Sequence, residues 1–254
     1  MQTIGNLKGA SIRASDGDIG SVEEVYFDDE AWAIRYLVVD AGSWLDQRKV
    51  LISPYSVKQP LSVASTVNGI NVSLTRQQVE NSPSIDTHKP ISRQHERDTL
   101  GYYGYPMYWG GAGLWAMGGT PLMPPMLPTL ADQERSRDEN QVPEEDVHLR
   151  SSAQVTGYDI EASDGGIGNV KDFLFDESTF EIRYLIVDTG NWWPGKQVLV
   201  ATRWIDGIDS IESKVHTRLS RDAVKASPAY DPNRPLERSD ETKLHETHGR
   251  QGYW

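Results

Sequence analysis

The stretch IRYLVVDAG, Ile34 to Gly42, returns as IRYLIVDTG, Ile182 to Gly190, with seven of nine positions identical. A chain that carries one segment twice must fold it twice, so the extent of the repeat sets the architecture. ASDGDIGSVEEVYFDDEAWAIRYLVVDAG (Ala14 to Gly42) aligns without gaps on Ala162 to Gly190, at an offset of 148. The match runs on through Trp44 with Trp192, Val50 with Val198 and Leu51 with Leu199. The offset then falls to 145, and Leu74 meets Leu219, Val79 meets Val224 and Ser82-Pro83 meets Ser227-Pro228. The second offset also carries the tails: Arg93 falls on Arg238, Glu96 on Glu241, Gly104 on Gly249 and Tyr108-Trp109 on Tyr253-Trp254. The repeated unit is therefore a domain with its C-terminal extension.

Each unit reads as small and all-β. Asp16-Gly17 and Asp164-Gly165 are hairpin dipeptides, because a tight turn favours Asp and needs Gly. Val25 and Phe27, like Phe173 and Phe175, fall on one face of the following strand. AWAIRYLVVD and TFEIRYLIVD are rich in β-branched and aromatic residues and read as central strands, and KVLIS and QVLVA supply one more strand each. Four or five short strands in about 70 residues point to a closed or nearly closed small barrel, which removes exposed edges. A short helix follows in each unit, capped by Thr75 or Ser220 and ended by Pro83 or Pro228.

The pattern ASDG-x-IG-x-V, F-D, IRYL-[VI]-VD-x-G-x-W, VL[IV] and LTR-x-x-V-x-x-SP resembles the PRC-barrel domain. The resemblance covers roughly Ile4 to Pro83 and Gly157 to Pro228. This small barrel is known from the cytoplasmic part of the photosynthetic reaction-centre H subunit and the C-terminal part of a ribosome-maturation factor. The resemblance implies a six-stranded barrel used for protein contact or packing, with no catalytic residues to carry over. The expected fold is mainly β: two PRC-type barrels from an internal duplication, each followed by a short helix and an irregular tail. The expected divisions are repeat 1 over 1–83, a largely irregular tail and linker over 84–152, repeat 2 over 153–228 and a C-terminal tail over 229–254.

Composition narrows the function classes. The formal charge is -12 and no cluster of Lys and Arg stands against it, so no nucleic-acid partner is expected. The absence of cysteine removes disulfides, thiol catalysis and Cys-ligated zinc. No basic start followed by an apolar run opens the sequence, and no apolar stretch of about 18 residues occurs, so no integral membrane segment is expected. A bacterial, cytoplasmic protein is the expectation.

Asp40 and Asp188 could be acid–base carboxylates, but no His or Lys recurs beside them, and they read as strand-end residues bonding the turn at Gly42 or Gly190. Gly17, Gly20, Gly165 and Gly168 read as structural turns, because no Lys-Ser/Thr or helix follows them as in a phosphate loop. Arg35 and Arg183 read as outer-face residues pairing with neighbouring-strand acids such as Glu24 or Asp172. The acids around Asp16, Asp18, Asp28 and Asp29 do not have calcium-loop spacing. No catalytic, cofactor or metal residues are expected.

Aromatic loops are the remaining candidates. Trp44, Trp192 and Trp193 either close one end of a barrel or anchor a partner. Trp193 has no aromatic counterpart in repeat 1, which favours exposure. The segment with Tyr102, Tyr103, Tyr105, Tyr108 and Trp109 reads either as a disordered, sticky linker or, given its aromatic density, as a stretch that docks on a barrel groove or on a partner, and the second reading is preferred. The following stretch, Ala131 to Val147, carries seven acids against two arginines and reads as a solubilising linker. The expected function is a non-enzymatic interaction or assembly scaffold, binding a protein partner or itself. The alternatives are an accessory factor of a photosynthetic electron-transport complex, by analogy, and an enzyme sited between the barrels, for instance with His216.

Overall fold

A computed structural model of the chain describes residues 1–59, 61, 69–85, 91–109, 113–115, 118–121, 148–190 and 196–254. Repeat 1 supplies β1 (Gln2–Thr3), β2 (Ser11–Ala14), β3 (Gly17–Asp28), β4 (Ala33–Asp40), β5 (Lys49–Ile52) and β6 (Ile70–Asn71). The second part supplies β7 (Leu149–Ser151), β8 (Asp159–Ala162), β9 (Gly165–Phe175), β10 (Ile182–Asp188), β11 (Gln197–Ala201), β12 (Ile205–Asp209) and β13 (Lys214–Thr217).

The strands of repeat 2 follow the order β11-β10-β9-β8-β13-β12, antiparallel except for the parallel β8–β13 pair. A single 3₁₀ turn, Thr202–Trp204, joins β11 to β12, so the chain itself returns the six-strand path to its start. Repeat 1 has the order β5-β4-β3-β2-β6, again with one parallel pair, β2–β6. Its seam is made by the Pro54–Ser56 turn and the bridge of Val57 to Val72, with Lys58 N–H donating to Asn71 O at 2.8 Å. This is the two-unit, mainly β architecture that the repeat implies.

Curvature is placed identically in both units. The β3–β4 ladder slips between Val22 and Glu24, and the β9–β10 ladder slips between Val170 and Asp172, at the 148 offset. Bulges of this kind bend and twist a strand, which a small barrel requires. The expected turns are also present. Asp40 Oδ1 accepts from Gly42 N and Asp188 Oδ1 accepts from Gly190 N, each at 2.8 Å. Asp16 and Asp164, beside Gly17 and Gly165, each receive the first backbone N–H of a helix, Arg76 N at 2.8 Å and Arg221 N at 2.7 Å. Those helices, Arg76–Glu80 and Arg221–Ala226, are capped by Thr75 and Ser220 as expected.

The tails are more ordered than the irregular segments expected of them. Each carries a helix, Arg93–Tyr103 capped by Ser92 and ended by Gly104, and Arg238–Thr247 opened by a Glu237–Asp240 capping box. Among the described residues no helix is long and apolar enough to cross a membrane.

The expected boundary at residue 152 falls inside an exchange of strands. β1 pairs with β9 of the other unit, Gln2 opposite Phe175 and Thr3 opposite Leu174. β7 pairs with β3, Arg150 opposite Phe27 and Ser151 opposite Tyr26. Adding 148 to the first pairing and subtracting it from its partners gives the second, so each unit lends its leading strand to the other. One apolar core consequently runs through both units, with Phe27 and Phe173 ring centroids 5.3 Å apart across the join.

Candidate functional site: a docked tail on each barrel

β4 and β10 show no in–out alternation of polarity, and the structure gives the reason. Ile34, Leu37 and Val39 face the barrel core, while Tyr36 and Val38 belong to a second apolar cluster with Ile91, Leu100 and Tyr108. A strand buried on both faces needs a cover, and here the tail supplies it.

The cover is pinned by a polar cluster that both repeats build from equivalent residues. In repeat 2 Glu241, on the tail helix, accepts from the hydroxyls of Tyr184 on β10 (2.9 Å) and Tyr253 (2.8 Å). Its other oxygen pairs with Arg238, one helical turn earlier, at 3.0 Å. In repeat 1 Glu96 accepts from Tyr108 at 2.5 Å, pairs with Arg93 at 3.3 Å and faces Tyr36. Helical i,i+3 spacing puts Arg and Glu side by side on the face that meets the strand. Glu96 is 0% and Glu241 4% exposed, so the tyrosine hydroxyls and the guanidinium are what permit a carboxylate there.

Burial first, and then the neighbouring glutamate, raises the Tyr36 and Tyr184 hydroxyls well above the ordinary phenol range. For the same reasons Tyr253 is pushed up to about 12. These hydroxyls stay protonated, and those of Tyr184 and Tyr253 donate to Glu241.

Arg35 meets an acid of the neighbouring strand as expected, though a different one, and Arg183 pairs within its own segment instead. Arg35 is 2% exposed and does not meet Glu24; Nη2 bonds Asp28 at 3.0 Å and Nη1 donates to Leu114 O at 2.6 Å. Its guanidinium lies over the Tyr108 ring at 3.9 Å and near Trp115 at 4.9 Å. Arg183 pairs with Glu181 and lies over Tyr253, also at 3.9 Å. Such stacked cations contribute roughly 0.5–2 kcal/mol each, more when desolvated. Glu24 and Asp172 instead serve the strand exchange: Ser151 Oγ donates to Glu24, and Gly5 N donates to Asp172 at 3.1 Å.

Of the expected aromatic contacts, Tyr108 is buried in this cluster and Trp109 lies against Arg93 at 4.2 Å. Tyr103 and Tyr105 are half-buried and stack on one another. Tyr102, 42% exposed, donates to Gln78 O at 2.8 Å. All five therefore dock on their own barrel. Trp44 is half-buried; its Nε1 donates to Ile19 O at 2.5 Å and Arg76 sits 4.3 Å over its ring, so it closes the barrel end. Trp192 and Trp193 lie outside the described residues.

The PRC-barrel domain model matches residues 2–69 and 151–224, more than half of the chain. This chain belongs to the PRC-barrel family. No curated protein matches it. Both docked tails lie outside the matched segments, so the buried glutamates and the Tyr-Trp pairs are additions to the two PRC barrels. Sequence comparison had put Arg93, Glu96, Arg238 and Glu241 in register. The missing polarity alternation of β4 and β10 was the signal that they cover something.

The two PRC units differ in one respect that has a consequence for pH. At the offset of 145, His245 replaces Leu100 and His248 replaces Tyr103. His245 is 3% exposed, 3.2 Å from the Tyr184 hydroxyl, and packs on Trp204 and Trp254. His248 Nε2 meets Ser227 Oγ at 2.8 Å. Burial holds both imidazoles below their usual value, against the opposing Gln251 backbone and Glu241 at His245 and with help from Arg250 and His245 at His248. An unfolded tail takes up protons first, so the neutral histidines stabilise docking fully above about pH 6.5 and lose that effect as pH falls below it. Hydrogen exchange should show protection of 238–247 falling between pH 7 and pH 5.5, and more than that of 93–103. His95 on the first helix shifts the same way, opposed by Asp98 as His245 is by Glu241, so the difference between the tails is that two such histidines stand on the second and one on the first. His245→Leu, which installs the residue of the first repeat, should flatten the dependence.

Proposed function

We propose that the protein is a non-enzymatic interaction module in which two tail-covered PRC barrels form one assembly unit in the bacterial cytoplasm. The observation that carries this reading is the use made of the recurring polar residues. Arg35 and Arg183, Glu96 and Glu241, and Tyr108 and Tyr253 all hold a tail on a barrel. What duplication preserved outside the core is thus a packing device, and PRC-barrel domains occur in interaction and assembly modules.

The enzyme alternative would use the groove between the units, lined by Met1, Gln59, Asp176, Glu177, Arg238 and Tyr253 among others. Among the described residues no imidazole lines it, and His216 sits on β13 opposite Gly207 and Glu161 of its own unit. The interaction reading rests on the tail contacts. Size-exclusion chromatography with light scattering over a wide concentration range, alongside affinity capture from the native organism, tests it. A mass that rises with concentration, or a stoichiometric protein complex, is the expected result. A strict monomer with no stoichiometric companion would overturn the reading.

A further inference from the structure

The contacts that join the two units are reciprocal. Besides β1–β9 and β7–β3, Ile34 N donates to Phe180 O at 2.9 Å and Ile182 N donates to Trp32 O at 2.7 Å, the same bond at the 148 offset. Each leading strand also brings a cation to the equivalent turn acid. The Met1 amino group lies 3.6 Å from Glu177, and Arg150 lies 2.6 Å from Asp29. Trp32 and Phe180, whose carbonyls accept across the join, have φ of +53° and +58°. Large side chains avoid that left-handed region, and it persists only where the surroundings impose it. Both units are strained at the same residue to make the same bond.

We propose that the partner of this module is a second copy of the same chain, joined by exchanging units across this two-fold interface. The inference rests on the interaction reading and names its partner. A self-complementary interface is satisfied whichever chain supplies each half, and exchange of identical elements is a low-cost route to a dimer. Each sheet lacks an edge strand until another unit provides one, and an unpaired edge is itself a template for pairing. Within one chain the two units are covalently joined, which makes the closed form intramolecular.

The test uses the full, uncut chain. Unlabelled and nitrogen-15-labelled preparations are mixed, taken through mild denaturant, refolded at high protein concentration and examined by native mass spectrometry. Dimers should appear, with light, hybrid and heavy forms in a statistical distribution. When one preparation carries Arg150→Glu and the other Asp29→Arg, the hybrid should exceed either homodimer several-fold, because only chains that exchange units set opposite charges together in both interfaces. Monomer alone at every concentration, dimers without light–heavy hybrids, or no excess of the hybrid in the charge-swapped mixture would each overturn the exchange. A stoichiometric complex with another protein would survive that outcome, so the broader reading fails separately.

Discussion

Gly168→Ala should destabilise the protein by on the order of 3 kcal/mol or more, and Gly20→Ala by a similar amount. A Cβ at Gly168 would stand 2.0 Å from Asp188 O, and one at Gly20 would stand 1.9 Å from Asp40 O. Both neighbours are backbone atoms at the end of the central strand, so no rotamer change relieves the contact. The glycines also sit at φ of +134° and +157°, where an L side chain adds strain. The bend of β3 against β4, and of β9 against β10, therefore depends on a missing side chain. Urea denaturation of each variant measures the effect. Where it fits, Gly→Ala stabilises by about 0.5–1 kcal/mol, so a loss below about 1 kcal/mol would show that the strand crossing can yield.

The second large effect is expected at the buried carboxylates. Glu241→Ala removes the acceptor of the Tyr184 and Tyr253 hydroxyls and the partner of Arg238, leaving Tyr184 its 3.2 Å contact with His245 Nε2. A stranded buried hydroxyl costs about 1–3 kcal/mol, and because Tyr253 is half-buried and Tyr184 keeps one contact, docking of the second tail should weaken by about 1–3 kcal/mol. Because the tail lies outside the barrel core, the expected result is local release. Protease cuts within 238–254 should accelerate while the main urea transition moves little. Glu241→Gln keeps an acceptor for the tyrosines and should restore much of the protection. Equal protection in Glu241→Ala and the unaltered protein would remove the glutamate from the docking account. Glu96→Ala makes the same demand of the first tail, where Arg35 and Trp115 add further contacts.

Much of the barrel was legible because its signals are local. Asp-Gly turns, the Thr75 and Ser220 caps and the Asp40 and Asp188 turn bonds each depend on residues within a few positions, and the structure shows them all. The docked tails were half legible. Register showed that Glu96 and Glu241 recur, but an Arg-Glu pair on a short polar helix reads as a solvated face. Its burial is decided by Tyr36 and Tyr184, which lie about sixty residues away in sequence. The arginine partners failed for a related reason: Glu24 and Asp172 were correct neighbours already engaged by Ser151 and Gly5.

The sequence by itself determined that there are two units, that each is a small β fold of the PRC-barrel kind, and where each turn and cap lies. Periodicity, turn chemistry and duplication are properties of neighbours along the chain. Only the tertiary structure decided that the tails cover the barrels and that each unit completes the other's sheet. Strands as short as Gln2–Thr3 and Leu149–Ser151 carry no pattern of their own. Because the units present nearly the same edge, the sequence at that edge does not say which unit supplies the strand. Packing across the two-fold, with Trp32 and Phe180 held in strained backbone to bond each other's unit, makes that choice.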